Sequence, residues 1–278
     1  MIKLVAASLT DPGLEREENE DAAWVQVYQP PKKEPLGLFI VCDGMGGHMG
    51  GKFASYWATE AIKLEFSEMF VSKDPRATVV LTEKDIEAVR AGKLISLEKT
   101  EPTLNECVKR AIRKANTVVY EYATHKPSKA ANAGTTVTMV AVRGARAVIA
   151  NAGDSRTYLI RNHELKQITK DHSVVASMVS EGQILPDEIY THPQRNVIFR
   201  FLGQRGMTSA DLFHENLKSG DYLLLCSDGL WEMVRDNDFI VRTIEESGEP
   251  PQACKKLVHA ALAAGGEDNV TVVVVKVS

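Results

Sequence analysis

The chain has 278 residues, 44% of them hydrophobic and 25% charged, with a formal net charge of −4. That length can bury a full core as one large or two small domains, and the acidic balance argues against nucleic acid or an anionic membrane surface as the main partner. Met1 leads directly into Ile2-Lys-Leu-Val-Ala without a basic and then long apolar leader, and the valine run Val272–Val275 is too short to span a bilayer, so a cytoplasmic protein with no membrane association is expected. The four cysteines, Cys42, Cys107, Cys226 and Cys254, form neither a CxxC pair nor a zinc spacing, which fits small buried residues in a reducing compartment.

In chain order, residues 2–10 and 22–28 read as a first pair of strands. Between them lies the charged loop Asp11-Pro-Gly-Leu-Glu-Arg16-Glu-Glu-Asn-Glu20-Asp21. A proline-rich turn at residues 29–35 returns the chain into an apolar strand, Leu36 to Asp43, which empties into a loop with five glycines among residues 44–51. A helix is expected from about Lys52 with Phe53, Trp57, Ala61 and Leu64 on its apolar stripe. Residues 71–102 are polar and read as a helical insertion. A second long helix starts at Thr103, where Thr103 and Glu106 form a capping box ahead of Leu104, Val108, Ala111, Ile112, Ala115, Val119 and Tyr122. From Gly134 the pattern is β, four short strands over residues 135–168 that read as an antiparallel meander. Residues 171–206 hold a short helix stopped by Gly182 and the stretch Thr191-His-Pro-Gln-Arg-Asn196, read together as a flap. Asp221-Tyr-Leu-Leu-Leu-Cys-Ser-Asp228-Gly repeats the strand, Asp, Gly pattern. Helices at about 236–247 and 251–264 then lead through Glu267-Asp268-Asn into a last strand, Val270–Val277.

Carboxylates recur at strand ends and tight turns: Glu20-Asp21, Asp43, Asp154, Asp228 and Asp268. Each alone also suits an Asx-turn or a helix cap. Five recurrences point to one acidic rim, and two unit charges about 4 Å apart repel by roughly 4 kcal/mol at an effective dielectric near 20, so converging carboxylates call for cations. An oxygen-only set without His or Cys at ligand spacing selects hard ions, magnesium or manganese. Two such ions can polarise a phosphoryl group and activate a bridging water, and Arg16 in the same loop is suited to bidentate phosphate binding. Gly46 to Lys52 fits G-x-x-x-x-G-K, but Phe53 follows where a P-loop needs Ser or Thr.

Taken together, Arg16-Glu-Glu-Asn-Glu20-Asp21, Val41-Cys-Asp43-Gly-Met-Gly-Gly-His48, Ala133-Gly-Thr-Thr136, Ala152-Gly-Asp-Ser-Arg156, Asp171-His-Ser173, Cys226-Ser-Asp228-Gly-Leu-Trp231 and Glu267-Asp-Asn-Val270 resemble, in order, the motifs of the PPM family. These are metal-dependent serine/threonine protein phosphatases, also called protein phosphatase 2C-like, and Thr191–Asn196 resembles the bacterial branch. The resemblance implies one domain over residues 1–278 of class α+β, a four-layer α-β-β-α sandwich with two central antiparallel sheets. It also implies that Asp43 bridges two ions, that the Gly44 carbonyl binds one, and that Asp228 and Asp268 bind the other. Glu20 and Asp21 would act through water, Asp154 with Asp228 would take a third ion, and Arg16 would bind phosphate. Met45 stands where animal members carry a histidine thought to be a general acid, and His48 three residues on is read as structural. The expected activity is hydrolysis of phosphoserine or phosphothreonine by direct attack of a metal-activated water, in a monomer whose phosphoprotein substrates include a kinase. Arg195 is expected to contact the substrate peptide. The alternatives are a catalytically silent module that binds phosphoproteins or a kinase, and a phosphatase for small phosphate esters.

Overall fold

The computed structural model describes residues 1–46, 50–70, 83–91, 102–125, 133–206 and 210–278. In chain order its strands are β1 (Leu4–Asp11), β2 (Asp21–Tyr28), β3 (Leu36–Met45), β4 (Gly134–Thr135), β5 (Val137–Arg143), β6 (Arg146–Ala152), β7 (Arg156–Arg161), β8 (Glu164–Gln167), β9 (Asp211–Asn216), β10 (Tyr222–Cys226) and β11 (Val270–Val277). The helices are α1 (Gly50–Phe70), α2 (Glu83–Arg90), α3 (Leu104–His125), α4 (Val174–Ser180), α5 (Asp228–Trp231), α6 (Asn237–Glu246) and α7 (Pro250–Ala263), with a 3-10 turn at Pro186–Tyr190.

Two antiparallel sheets stack face to face. One runs β1-β11-β10-β7-β8 and the other β2-β3-β5-β6-β9, with β4 bonded to the end of β3. Central strands are buried on both faces, so they read as continuous apolar runs whose alternate residues face different layers. On β3, Phe39 and Val41 pack between the sheets, with Leu223, Leu225, Val273 and Val275 from the opposite sheet. Leu38, Ile40 and Cys42 point the other way, into a layer filled by α1 and α3. Leu224, Cys226, Val272 and Val274 likewise face α6 and α7. The order of layers is therefore α-β-β-α, as the resemblance implied.

Three expectations are corrected. Strands β1 and β2 are not a pair: β1 joins β11 and β2 joins β3, in different sheets. The meander is also broken, because β5 pairs with β6 and β7 with β8, while the link Gly153-Asp154-Ser155 crosses from one sheet to the other. A tight turn and a sheet-to-sheet crossing look alike in sequence, and only the partner strands decide between them. The buried face of α1 is Ala54, Ser55, Ala58, Ala61, Ile62 and Phe66, leaving Trp57 42% and Leu64 70% exposed. Small residues win that face because they let the helix axis approach the sheet closely.

The capping box at the start of α3 forms as expected, with Thr103 N–H donating to Glu106 Oε2 at 2.7 Å and Glu106 N–H to Thr103 Oγ1 at 3.3 Å. Of the insertion 71–102, the helix α2 is described and most of the remainder lies outside the described residues. All four cysteines are free and buried. Among the described residues, no helix is long and apolar enough to cross a membrane.

Candidate metal and phosphate site

The crossing at Gly153–Ser155, the end of β3, the start of α5 and the turn before β11 all open at one end of the sandwich. There they ring a cavity of about 510 Å³ lined by Arg16, Glu20, Asp43, Gly44, Asp154, Asp228 and Asp268, with Thr136, Asn196, Ile198 and Asn269 also in its wall. Asp43 lies within β3, opposite Asp21 of β2, and Asp228 sits in the first turn of α5. Asp21 stands behind the cavity rather than in its lining, partly exposed but with its Oδ1 buried, and accepts a hydrogen bond from Ser227 Oγ at 2.8 Å. Arg195 lies outside this cavity, in a neighbouring one of about 290 Å³ that shares Arg16, Asn196, Asp228 and Asp268 with it. His48 lies outside the described residues.

The backbone at the strand mouth is held closely. Asp43 N–H donates to Thr136 Oγ1 at 3.0 Å, and the Asp43 carbonyl accepts from Thr136 N–H at 2.8 Å and Thr135 Oγ1 at 2.9 Å. Gly44 N–H donates to the Glu20 carbonyl at 3.2 Å. A Cβ on Gly44 would collide with the carbonyl oxygens of Gly51 and Glu20, so only glycine lets the start of α1, the arginine loop and β3 meet here. Asn269 ties the arginine loop down, its Oδ1 accepting from Glu20 N–H at 2.8 Å and its Nδ2 donating to the carbonyls of Pro12 and Glu18 at 2.8 and 3.0 Å. Trp231 Nε1 donates to the Asp154 carbonyl at 3.1 Å, with the Arg156 guanidinium stacked 3.6 Å over its ring. Thr136, Trp231 and Asn269 all fall within motifs quoted above. Their side-chain targets are distant in sequence and could not be read there.

The electrostatics are those of a site short of positive charge. Burial first, and then repulsion from Asp228, Asp21, Asp154 and Asp268, pushes Asp43 well above the ordinary carboxylate value; burial and then Asp154 and Asp268 do the same to Asp228. Asp21 and Asp154, also raised mainly by burial, are pushed up to about 7. Burial raises Glu20 as well, against a backbone N–H of Lys52 at the start of α1 that favours its charged form. Arg16 is the cation at the rim and pairs with Asp268 at 2.7 Å, both side chains being substantially exposed.

Two buried carboxylate oxygens, Glu20 Oε1 and Asp21 Oδ1, have no hydrogen-bond partner among the described residues. Orphaned acceptors, mutually repelling carboxylates and an oxygen-only donor set are the chemistry of a hard divalent cation site. Among the described residues no three of these side chains converge on a single point; they line a common cavity instead.

The protein phosphatase 2C family model matches residues 17–264. The chain belongs to that family. It is accordingly a metal-dependent protein phosphatase, and its relatives agree over nearly the whole length. It is 32% identical over 272 residues to the serine/threonine phosphatase stp of Listeria monocytogenes, covering 96% of this chain and 93% of the relative. It is 33% identical over 271 residues to the protein phosphatase PhpP of Streptococcus pneumoniae, covering 97% and 96%. The catalytic domain of the serine/threonine protein phosphatase PstP, solved with two manganese ions, superposes on the phosphatase with a TM-score of 0.76 at 30% identity, over 100% of this chain and 99% of that one.

Proposed function

We propose that this phosphatase hydrolyses phosphoserine and phosphothreonine in proteins, using two ions of manganese or magnesium and a third beside Asp154. The convergence of Asp43, Asp154, Asp228, Asp268 and Glu20 with Arg16 on one cavity carries the reading. Asp43 and the Gly44 carbonyl would hold one ion and Asp43, Asp228 and Asp268 the other, with Glu20 and Asp21 acting through water. Ions in this position neutralise the carboxylates and polarise the phosphoryl oxygens of the substrate.

The residues of the chain do the rest. Arg16 offers planar donors matched to phosphate and swings from Asp268 to the substrate at small cost, since an exposed ion pair is worth about 1 kcal/mol or less. The nucleophile is water. Among the described lining residues there is no Cys or His, the Thr136 hydroxyl is engaged by Asp43 N–H and by Ser155 Oγ at 2.6 Å, and the nearby Cys42 thiol is pushed up to about 12 by burial. With Met45 at the cavity and no imidazole in its described wall, the departing serine or threonine oxygen takes its proton from water.

On this reading residues 1–278 form one catalytic domain with an insertion at 71–102 and a flap at 171–206 that lends Asn196 and Ile198 to the cavity wall. The enzyme works as a monomer on phosphoproteins, a serine/threonine kinase among them. Its four free cysteines support a reducing, cytoplasmic setting.

The deciding assay is hydrolysis of a phosphothreonine peptide with manganese. Turnover is expected, lost in EDTA and restored by excess manganese. Turnover that survives the chelator would sink the proposal. Manganese binding without turnover would assign a silent binding module, and a strong preference for small phosphate esters would assign the other alternative. Arg195 is proposed as a peptide contact, because it lines the adjoining cavity with Glu232 rather than the carboxylate cavity. Arg195→Ala is expected to raise KM for a phosphopeptide several-fold and leave an aryl phosphate unaffected; equal losses on both would refute that role.

A further inference from the structure

The turn that carries Asp154 is built around the backbone of one residue, Gly153. Gly153 has φ +114°, and a Cβ there would lie 2.6 Å from Thr136 Cβ, so the turn has no slack on that side. Its carbonyl accepts from His172 N–H at 2.9 Å and Asn151 Nδ2 at 3.1 Å, and its N–H donates to His172 Nδ1 at 3.2 Å. His172 is only 5% exposed. At the other edge of its ring, Nε2 meets Asp211 Oδ2 at 3.2 Å, and Arg200 donates to Asp211 Oδ1 at 2.6 Å.

These contacts select the tautomer. Gly153 N–H is buried and needs an acceptor, so Nδ1 is bare and the proton sits on Nε2, donating to Asp211. Arg200 also lies 3.1 Å from Nε2, but it can only donate and already has Asp211 as partner. Burial holds His172 below the ordinary imidazole range, consistent with a neutral ring. The same residue grips the cavity segment: its carbonyl accepts from Phe199 N–H at 2.9 Å, the Phe199 ring packs edge-on at 5.9 Å, and Ser173 bridges to Ile198.

We propose that His172 is a positioning residue that holds the Gly153–Asp154 turn through Nδ1 and ties it, through Nε2, Asp211 and Arg200, to the segment 196–200 bordering the substrate. This rests on Asp154 being an ion ligand. The carboxylate and the substrate-facing segment are then set by the two ends of one imidazole.

The two ends separate by substitution. Asn at 172 keeps an acceptor where Nδ1 stands and cannot reach Asp211; Gln keeps a polar group where Nε2 stands and loses the bond to Gly153. Titration of the chain with Mn²⁺ alone, read by calorimetry, is expected to show the weakest ion bound about tenfold less tightly in His172→Gln and near wild type in His172→Asn, as expected for groups that orient a ligand from behind. His172→Asn should instead raise KM for a phosphothreonine peptide. Should neither His172 variant fold, Asp211→Asn, altered at a partly exposed side chain, should reproduce the KM effect with unchanged ion affinity. Asp154→Asn separates the two levels. If it removes no ion, the assignment of Asp154 fails and takes this inference with it. If it removes one while the Asn and Gln variants behave alike, or while Asp211→Asn weakens the ion rather than KM, the role of His172 alone is overturned.

Discussion

Asp43→Asn is expected to lower kcat/KM on a phosphothreonine peptide by about 10³-fold or more and, at the same time, to stabilise the chelator-treated protein. The first effect follows from charge. Asp43 has four carboxylates around it, those of Asp228, Asp21, Asp154 and Asp268, and removing its charge takes a central ligand from the cations that stabilise the transition state, a loss of about 4 kcal/mol at 1.36 kcal/mol per tenfold. The second follows from the same burial. Without cations, an Asp43 carboxylate is repelled by Asp228, Asp21, Asp154 and Asp268, and the near-isosteric amide removes that repulsion while its backbone bonds to Thr135 and Thr136 remain. Activity and stability should therefore move in opposite directions, the usual mark of a residue kept for chemistry. Turnover within tenfold of wild type, or a lower melting temperature in EDTA, would contradict the assignment.

The metal-free protein is expected to lose stability as pH rises from about 5 to 8, and manganese to reverse this. Burial pushes Asp21 and Asp154 up to about 7 in the folded state against an ordinary 3.8, and raises Asp43 and Asp228 well above that ordinary value as well. The folded state thus binds more protons than the unfolded state in this window. The contribution of these groups is fully present below the unfolded value and is lost as pH rises through the folded one. Cations replace the protons. At a concentration a hundred times Kd, one bound ion adds about 2.7 kcal/mol, or roughly 5 °C in melting temperature for a chain of this size. Because protons compete for the same oxygens, the manganese shift should be larger at pH 8 than at pH 5.5. Melting curves recorded at both pH values, with EDTA and with manganese, check this; equal shifts at the two would mean that the ions do not bind these carboxylates.

Much of this molecule is legible locally. An apolar run that ends in Asp and Gly announces a buried strand that delivers a carboxylate to a place where backbone must come close, and Asp43-Gly44 and Asp228-Gly229 do so. The Thr103–Glu106 box marks the start of α3 because capping is satisfied within four residues. The acidic character of the site, its hard-cation chemistry and the place of Arg16 are likewise properties of residue type.

What the tertiary structure alone decided is partnership. Periodicity says that a face is buried but not against what, and α1, apolar on more than one side, buries Ala54, Ala58 and Ile62 rather than Trp57 and Leu64 because the small residues fit the sheet. Alternation cannot tell a hairpin from a crossing, so whether β6 and β7 are neighbours was settled by β9 and β10, which lie some sixty residues further on and pair with them. That crossing is what brings Asp154 to the cavity. Likewise, the backing of Asp21 by Ser227, the pairing of Arg16 with Asp268 and the grip of His172 on Gly153 join residues far apart in the chain. Residue types determined which chemistry the site can hold; the packing of two sheets, driven by apolar burial on both faces, determined which side chains meet to perform it.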